Sequence, residues 1–262
     1  MLTIQHICDF LAEFAPPALA EDWDNVGLLV GDPNRPARRV MTCLTVTPES
    51  TEEAIQDGAD LIVSHHPFPF RPLKQITART TVGRLLLQLI SAGIAVQSPH
   101  TAFDSAAAGI NQRLADGLGL KEILPLLPAI QHPGAGTGRR GVLAQPTTLV
   151  DLAARVQSLL RVPSLQFVGE RSRTVQSVAI ACGSAGQMLA AAHEAECDVF
   201  VTGETNFHTC LEAHAIGVAL LLPGHFASER FAVEQLAGVL ATQFPAAQVW
   251  ASRSEKDPLE WL

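Results

Sequence analysis

At 262 residues the chain is long enough to bury a full core, as one large domain or two joined ones, and needs no disulfides to do so. With 47% hydrophobic and 17% charged residues it lies far from the composition of disordered chains. Eighteen Lys and Arg against 26 Asp and Glu give a net charge of −8, a field that repels nucleic-acid backbones and anionic membranes, so neither nucleic acid nor membrane is expected as a partner.

The elements alternate along the chain. Ile4, Ile7, Cys8, Leu11 and Phe14 recur at helical spacing and predict a first helix that ends at Pro16-Pro17. Apolar runs at 26–30 and 40–46 read as two strands joined by a turn at Gly31 to Asn34. A helix over 49–57 leads into the buried strand 61–64, then a helix over 82–92, a strand over 94–97 and a helix over 106–118. This rhythm predicts an α/β fold with mostly parallel sheets. Pro125, Pro128, Pro133 and the glycines at 134, 136, 138 and 141 read as the entry to a second domain. Beyond it, helices at 149–160 and 184–195 alternate with strands at 165–168, 177–181 and 199–202, repeating the plan. The helix 228–243 and strand 248–250 are expected to return to the first domain, which gives residues 1–124 plus 222–262 for the first and 125–221 for the second.

The five cysteines contain no C-x-x-C pair and are odd in number, so they form neither a disulfide framework nor a thiolate zinc site. They read as small buried hydrophobes of a reduced compartment. The first ten residues lack the basic start and apolar run of a secretory signal, so a cytoplasmic location is expected.

His65-His66 follows directly on a buried strand, where open α/β sheets collect ligands. His100-Thr101-Ala102-Phe103-Asp104 follows another strand, and His225 and Glu229 share one helical face if a helix begins at His225. Each pair alone could be an ordinary capping or surface pair. Together His65, His66, Asp104, His225 and Glu229 offer three imidazoles and two carboxylates, more than one ion uses. Two divalent ions about 3.5–4 Å apart could share them, with water completing each shell as in metal-assisted hydrolysis. Nitrogen and oxygen donors suit Zn, Fe, Mn, Co or Ni. Glu204 and His208 are candidates for catalytic or ligand-supporting groups, with helix capping as the alternative. The stretch Gly134 to Arg140 invites a phosphate-loop reading, but it lacks the Walker lysine and is better read as a flexible interdomain connection.

Taken in order, Trp23-Asp24-Asn25-Val26-Gly27-Leu28, Ser64-His65-His66-Pro67, His100-Thr101 with Asp104, Thr202-Gly203-Glu204, and Gly224-His225 with Glu229 resemble one family across nearly the whole chain. It is the dinuclear metal centre hexameric protein family, also called NGG-interacting-factor-three-like or GTP cyclohydrolase I type 2 homologues. The resemblance implies two related, closely packed α/β domains with a dinuclear metal site in the cleft between them, and a ring-shaped homohexamer. It implies the same five ligands, and as activity a metal-dependent hydrolysis of a nucleotide-like or other small polar substrate. This chain departs from the family pattern at Thr45, where an Asp is common, at Ala102, where an Asn is common, and at Phe207, where a His is common. These departures leave the ligand set intact. They open a second reading, a non-catalytic metal-binding, storage or scaffold protein that regulates a partner.

Overall fold

The computed structural model describes residues 1–260. In chain order it runs α1 (Ile4–Phe14), β1 (Gly27–Val30), β2 (Arg39–Cys43), α2 (Pro48–Gln56), β3 (Leu61–Ser64), α3 (Thr81–Ala92), β4 (Ala95–Ser98), α4 (His100–Ser105), α5 (Ile110–Gly117), β5 (Lys121–Pro128) and β6 (Gly136–Thr148). It continues with α6 (Leu149–Leu160), β7 (Gln166–Val168), β8 (Thr174–Ala181), α7 (Leu189–Glu194), β9 (Val199–Thr202), α8 (Phe207–Ile216), β10 (Ala219–Leu222), α9 (His225–Gln243) and β11 (Gln248–Ala251). The chain divides into two compact units, Met1–Phe103 with Ala232–Lys256, and Asp104–Phe231 with Asp257–Leu262. No helix among the described residues is long and apolar enough to cross a membrane.

The sheet of the first unit has the order β1-β4-β3-β2-β11. Its four pairings follow from the connections. Helices α2 and α3 carry the chain over the sheet, so β2, β3 and β4 run parallel, and β11 joins them parallel to β2. The two strands expected as neighbours, β1 and β2, are separated: β1 closes the far edge antiparallel to β4. Side chains alternate along the strands, so Met41, Cys43, Ile62 and Val96 pack with Leu85, Leu86 and Leu89 of α3. Glu53 of α2 is buried and gathers the chain that leaves β11. It accepts hydrogen bonds from Trp250 Nε1 at 3.1 Å, Ser252 Oγ at 2.8 Å, Arg253 N at 3.0 Å and Ser254 N at 3.0 Å. Burial alone would raise this carboxyl, but the bonds from Ser254, Arg253 and Ser252 outweigh it and hold the group at about 2.

The second unit holds a mixed sheet in the order β5-β6-β8-β9-β10-β7. Only β8, β9 and β10 are mutually parallel, and β5, β6 and β7 enter antiparallel. Val178, Ile180, Val199 and Val201 meet Leu114, Leu152 and Val156 on one face. Ala179, Ala181, Phe200 and Leu220 meet Leu189, Ala192 and Ala213 on the other. Both faces of the strand run are therefore covered, which is why it reads as continuous apolar sequence.

The proline- and glycine-rich stretch expected as a flexible connection is instead the hairpin of β5 and β6. Gly136 and Gly138 adopt φ of 145° and 65°, and a Cβ at Gly136 would run into Leu127 O. This close approach lets Arg139 turn inward, where it is wholly buried. Its guanidinium donates to Gln112 Oε1 at 2.9 Å, to Gly136 O and Gly138 O at 2.7 Å each, and to Ala106 O at 2.6 Å. With its donors committed to carbonyls, Arg139 serves the fold and is not an anion ligand. Arg139→Ala would strand several buried carbonyls, so we expect a loss of about 3 kcal/mol or more in urea unfolding, with Arg139→Lys recovering less than half because an ammonium lacks the planar fork.

Candidate metal centre

In the first unit the chemistry gathers at the carboxyl ends of the parallel strands. Leaving β3, His65 and His66 stay in the ladder, with His65 N donating to Cys43 O at 2.9 Å and His66 N to Leu44 O at 2.8 Å. Ser98 Oγ donates to His65 O at 2.6 Å, and His66 Nδ1 lies 2.7 Å from Thr45 Oγ1. His100 begins α4 with a φ of 28°, a strained value for a residue other than glycine. Asp24 holds it there. One Asp24 oxygen lies 2.7 Å from His100 Nδ1, and the other accepts from Thr101 N at 3.1 Å and Thr101 Oγ1 at 2.5 Å. Burial works to raise the Asp24 carboxyl, but the His100 and Thr101 hydrogen bonds overcome it and bring it to about 2. An ionised carboxylate behind an imidazole fixes the tautomer and leaves Nε2 to face a ligand. The ring centroids of His65, His66 and His100 lie 5.1–5.5 Å apart, and one nitrogen from each falls within 4.8 Å of the others.

The second unit uses the ends of β8, β9 and β10 in the same way. α9 starts at His225, so His225 and Glu229 share a face, with His225 Nε2 and Glu229 Oε2 3.1 Å apart. Glu204, just past β9, lies 3.0 Å from His225 Nδ1. His225 is therefore bracketed by two carboxylates. The Glu229 hydrogen bond raises its pKa to about 9 against the opposing effect of burial, with Glu204 adding to the rise. Glycine makes the approach possible: Gly183 has φ of 66°, donates to Ser228 Oγ at 3.0 Å, and a Cβ on it would collide with Glu229 Oε1. Asp104 is tied in through Asn111, which donates to Asp104 O at 3.1 Å and accepts from Cys182 N at 2.8 Å. The Cys182 thiol donates to Asp104 Oδ1 at 3.5 Å. Burial, followed by the charges of Asp104 and Glu229, pushes that thiol well up, so it stays protonated.

Of the five residues expected as ligands, His65 and His66 thus lie in the first group and Asp104, His225 and Glu229 in the second. His100, not among the expected ligands, joins the first group. Glu204 sits against His225, whereas His208 is exposed on α8 with its ring beside Phe207. The two do not share a helical turn, because α8 begins only at Phe207 with Asn206 as its cap. The hidden partners are Asp24, Thr45 and Cys182. Asp24 carried a signal inside the turn-rich segment around Trp23 and Thr45 one as a departure from the family pattern, whereas Cys182 carried none. Imidazole nitrogens backed by carboxylate or hydroxyl, together with buried carboxylates and no thiolate, are a donor set suited to divalent first-row metals.

The fold and these two donor groups define a two-unit α/β protein with candidate metal-ligand groups at its strand ends. Residues 2–258 match the model of the Duf34/NIF3 (NGG1p interacting factor 3) family, and the chain belongs to that family. It is 32% identical to a GTP cyclohydrolase 1 type 2 homolog of Clostridium acetobutylicum over 99% of both chains. It is 34% identical to NIF3-like protein 1 of Drosophila melanogaster, covering 95% of this chain and 86% of the other. Among solved structures it is similar to Staphylococcus aureus protein SA1388, with a TM-score of 0.90 and 29% identity over 100% of this chain and 99% of that one.

Two outcomes follow from the second unit. The His225 imidazolium contributes stability below the ordinary 6.5 and loses that contribution as the pH rises through about 9, so NMR of the metal-free protein should find its midpoint near 9 and Glu229→Gln should lower it. Gly183→Ala should cost about 1–2 kcal/mol in chemical unfolding from the left-handed backbone alone, before the clash with Glu229 is counted.

Proposed function

We propose that the chain is a metal-dependent hydrolase in which His65, His66, Asp104, His225 and Glu229 together hold two divalent ions, acting on a nucleotide-like or other small polar substrate. The observation that carries the reading is the group of three imidazoles whose nitrogens lie within 4.8 Å of one another, two of them backed by Asp24 and Thr45. The His225 and Glu229 pair supplies matching donors from the second unit. Bound divalent ions would supply Lewis acidity and a water acidified toward neutral pH. The residues around them do the rest. Asp24 and Thr45 orient imidazoles, Glu204 holds the outer nitrogen of His225, and the protonated Cys182 restrains Asp104. The name of the Clostridium relative points to GTP ring opening as one hydrolysis to assay. The reading includes a homohexamer, which light scattering would return as six times the 27.9 kDa chain.

Elemental analysis of the purified protein should find about two divalent ions per chain, from among Zn, Fe, Mn, Co and Ni. Asp104→Ala and Glu229→Ala should lose metal and hydrolysis of nucleotides or phosphoesters together. Turnover that persists after both variants have lost their metal would end the hydrolase reading. Full metal with no turnover on any of these substrates would favour the non-catalytic alternative, in line with the replacement of polar groups at Ala102, which is buried, and Phe207, which is exposed.

A further inference from the structure

The chain that leaves β11 reaches the histidines by a route no motif marks. Glu53 fixes Ser252, Arg253 and Ser254, and Arg253 also pairs with Asp57. The next residue, Glu255, is thereby delivered to the end of β2. There its two carboxylate oxygens accept from Leu44 N at 2.8 Å and Thr45 N at 2.6 Å. A carboxylate received by two consecutive backbone N–H groups makes charge-assisted bonds, stronger than those between neutral groups. The backbone so held is the one against which His66 rests. Leu44 O accepts from His66 N at 2.8 Å, Thr45 Oγ1 lies 2.7 Å from His66 Nδ1, and Ser50 Oγ closes the turn by donating to Thr45 O at 3.1 Å.

We propose that Glu255 and Thr45 are positioning residues for His66: the carboxylate locks the backbone at 44–45, and the Thr45 hydroxyl, set by that lock, accepts the Nδ1 proton and aims Nε2 outward. The inference rests on the metal-binding reading only for what Nε2 then meets. The physical need is general, since an imidazole that offers Nε2 to a cation must keep its proton on Nδ1 and requires an acceptor there. Thr45 meets that need without a charge of its own, and the charge stands one step back, on Glu255.

The test is NMR of metal-free protein labelled with 15N-histidine, followed by titration with cobalt(II) alone. Wild type and Thr45→Ser should hold His66 protonated at Nδ1. Thr45→Val and Glu255→Ala should populate both tautomers and weaken cobalt(II) binding about ten- to a hundredfold, while Thr45→Ser stays within about threefold of wild type. Should Glu255→Ala fail to fold, Glu255→Gln takes its place, since it keeps the size but offers a single acceptor. An unchanged His66 tautomer in Thr45→Val and in the Glu255 variant would overturn the proposal. A tautomer that shifts in both, in a protein whose wild type takes up no cobalt(II), would uphold the positioning role and sink the metal reading instead.

Discussion

Hydrogen bonds that carry a strand ladder two residues past its end hold the first group of histidines in place. β3 ends at Ser64, yet His65 and His66 go on donating to Cys43 and Leu44 as though still paired. Two imidazoles on a free loop would sample many orientations and lose conformational entropy on binding anything. Here the backbone is already fixed by the sheet, so only the ring torsions remain. Those are settled locally, for His66 by Thr45 and for His100 by Asp24. The strain at His100 is affordable only because Asp24 accepts three hydrogen bonds around it.

The second unit solves the same problem with helix geometry and glycine. β8, β9 and β10 end side by side, and Cys182, Glu204 and His225 follow them within three residues. α9 then turns His225 and Glu229 onto one face, and Gly183 lets the neighbouring loop come close enough for its N–H to reach Ser228. Both units thus place their reactive side chains at the same topological position, the carboxyl edge of parallel strands, although the rest of their sheets differ. Buried acids recur in both, and each is balanced by donors rather than left bare, as burial of charge requires.

Much of this could be read from the residues alone. Helical spacing from Ile4 to Phe14 and from Leu149 to Leu160 set the bounds of α1 and α6, and the run at 61–64 those of β3. The His and carboxylate groups sit at element ends that apolar runs make visible. The hairpin of β5 and β6 was hidden, since prolines and glycines signal turns while tertiary pairing here overrides them. α9 starts at His225, three residues before the expected Ser228. The helix expected over 106–118 is α5, which begins only at Ile110 after its cap Gly109, and the short α4 before it was not expected. Glu255 lies 211 positions from Leu44, and a contact of that range leaves no trace in local sequence.

The hairpin tip has a practical use. Residues 130–134 form the turn beyond the Pro128 and Gly136 pairing, with Ile130 fully exposed and Ala135 already buried. The anchor, Arg139, is downstream of the tip and draws none of its bonds from it. A foreign peptide, an epitope or a fluorophore grafted there would therefore ride outside the folded body, and the sheet beneath would have no reason to notice its length.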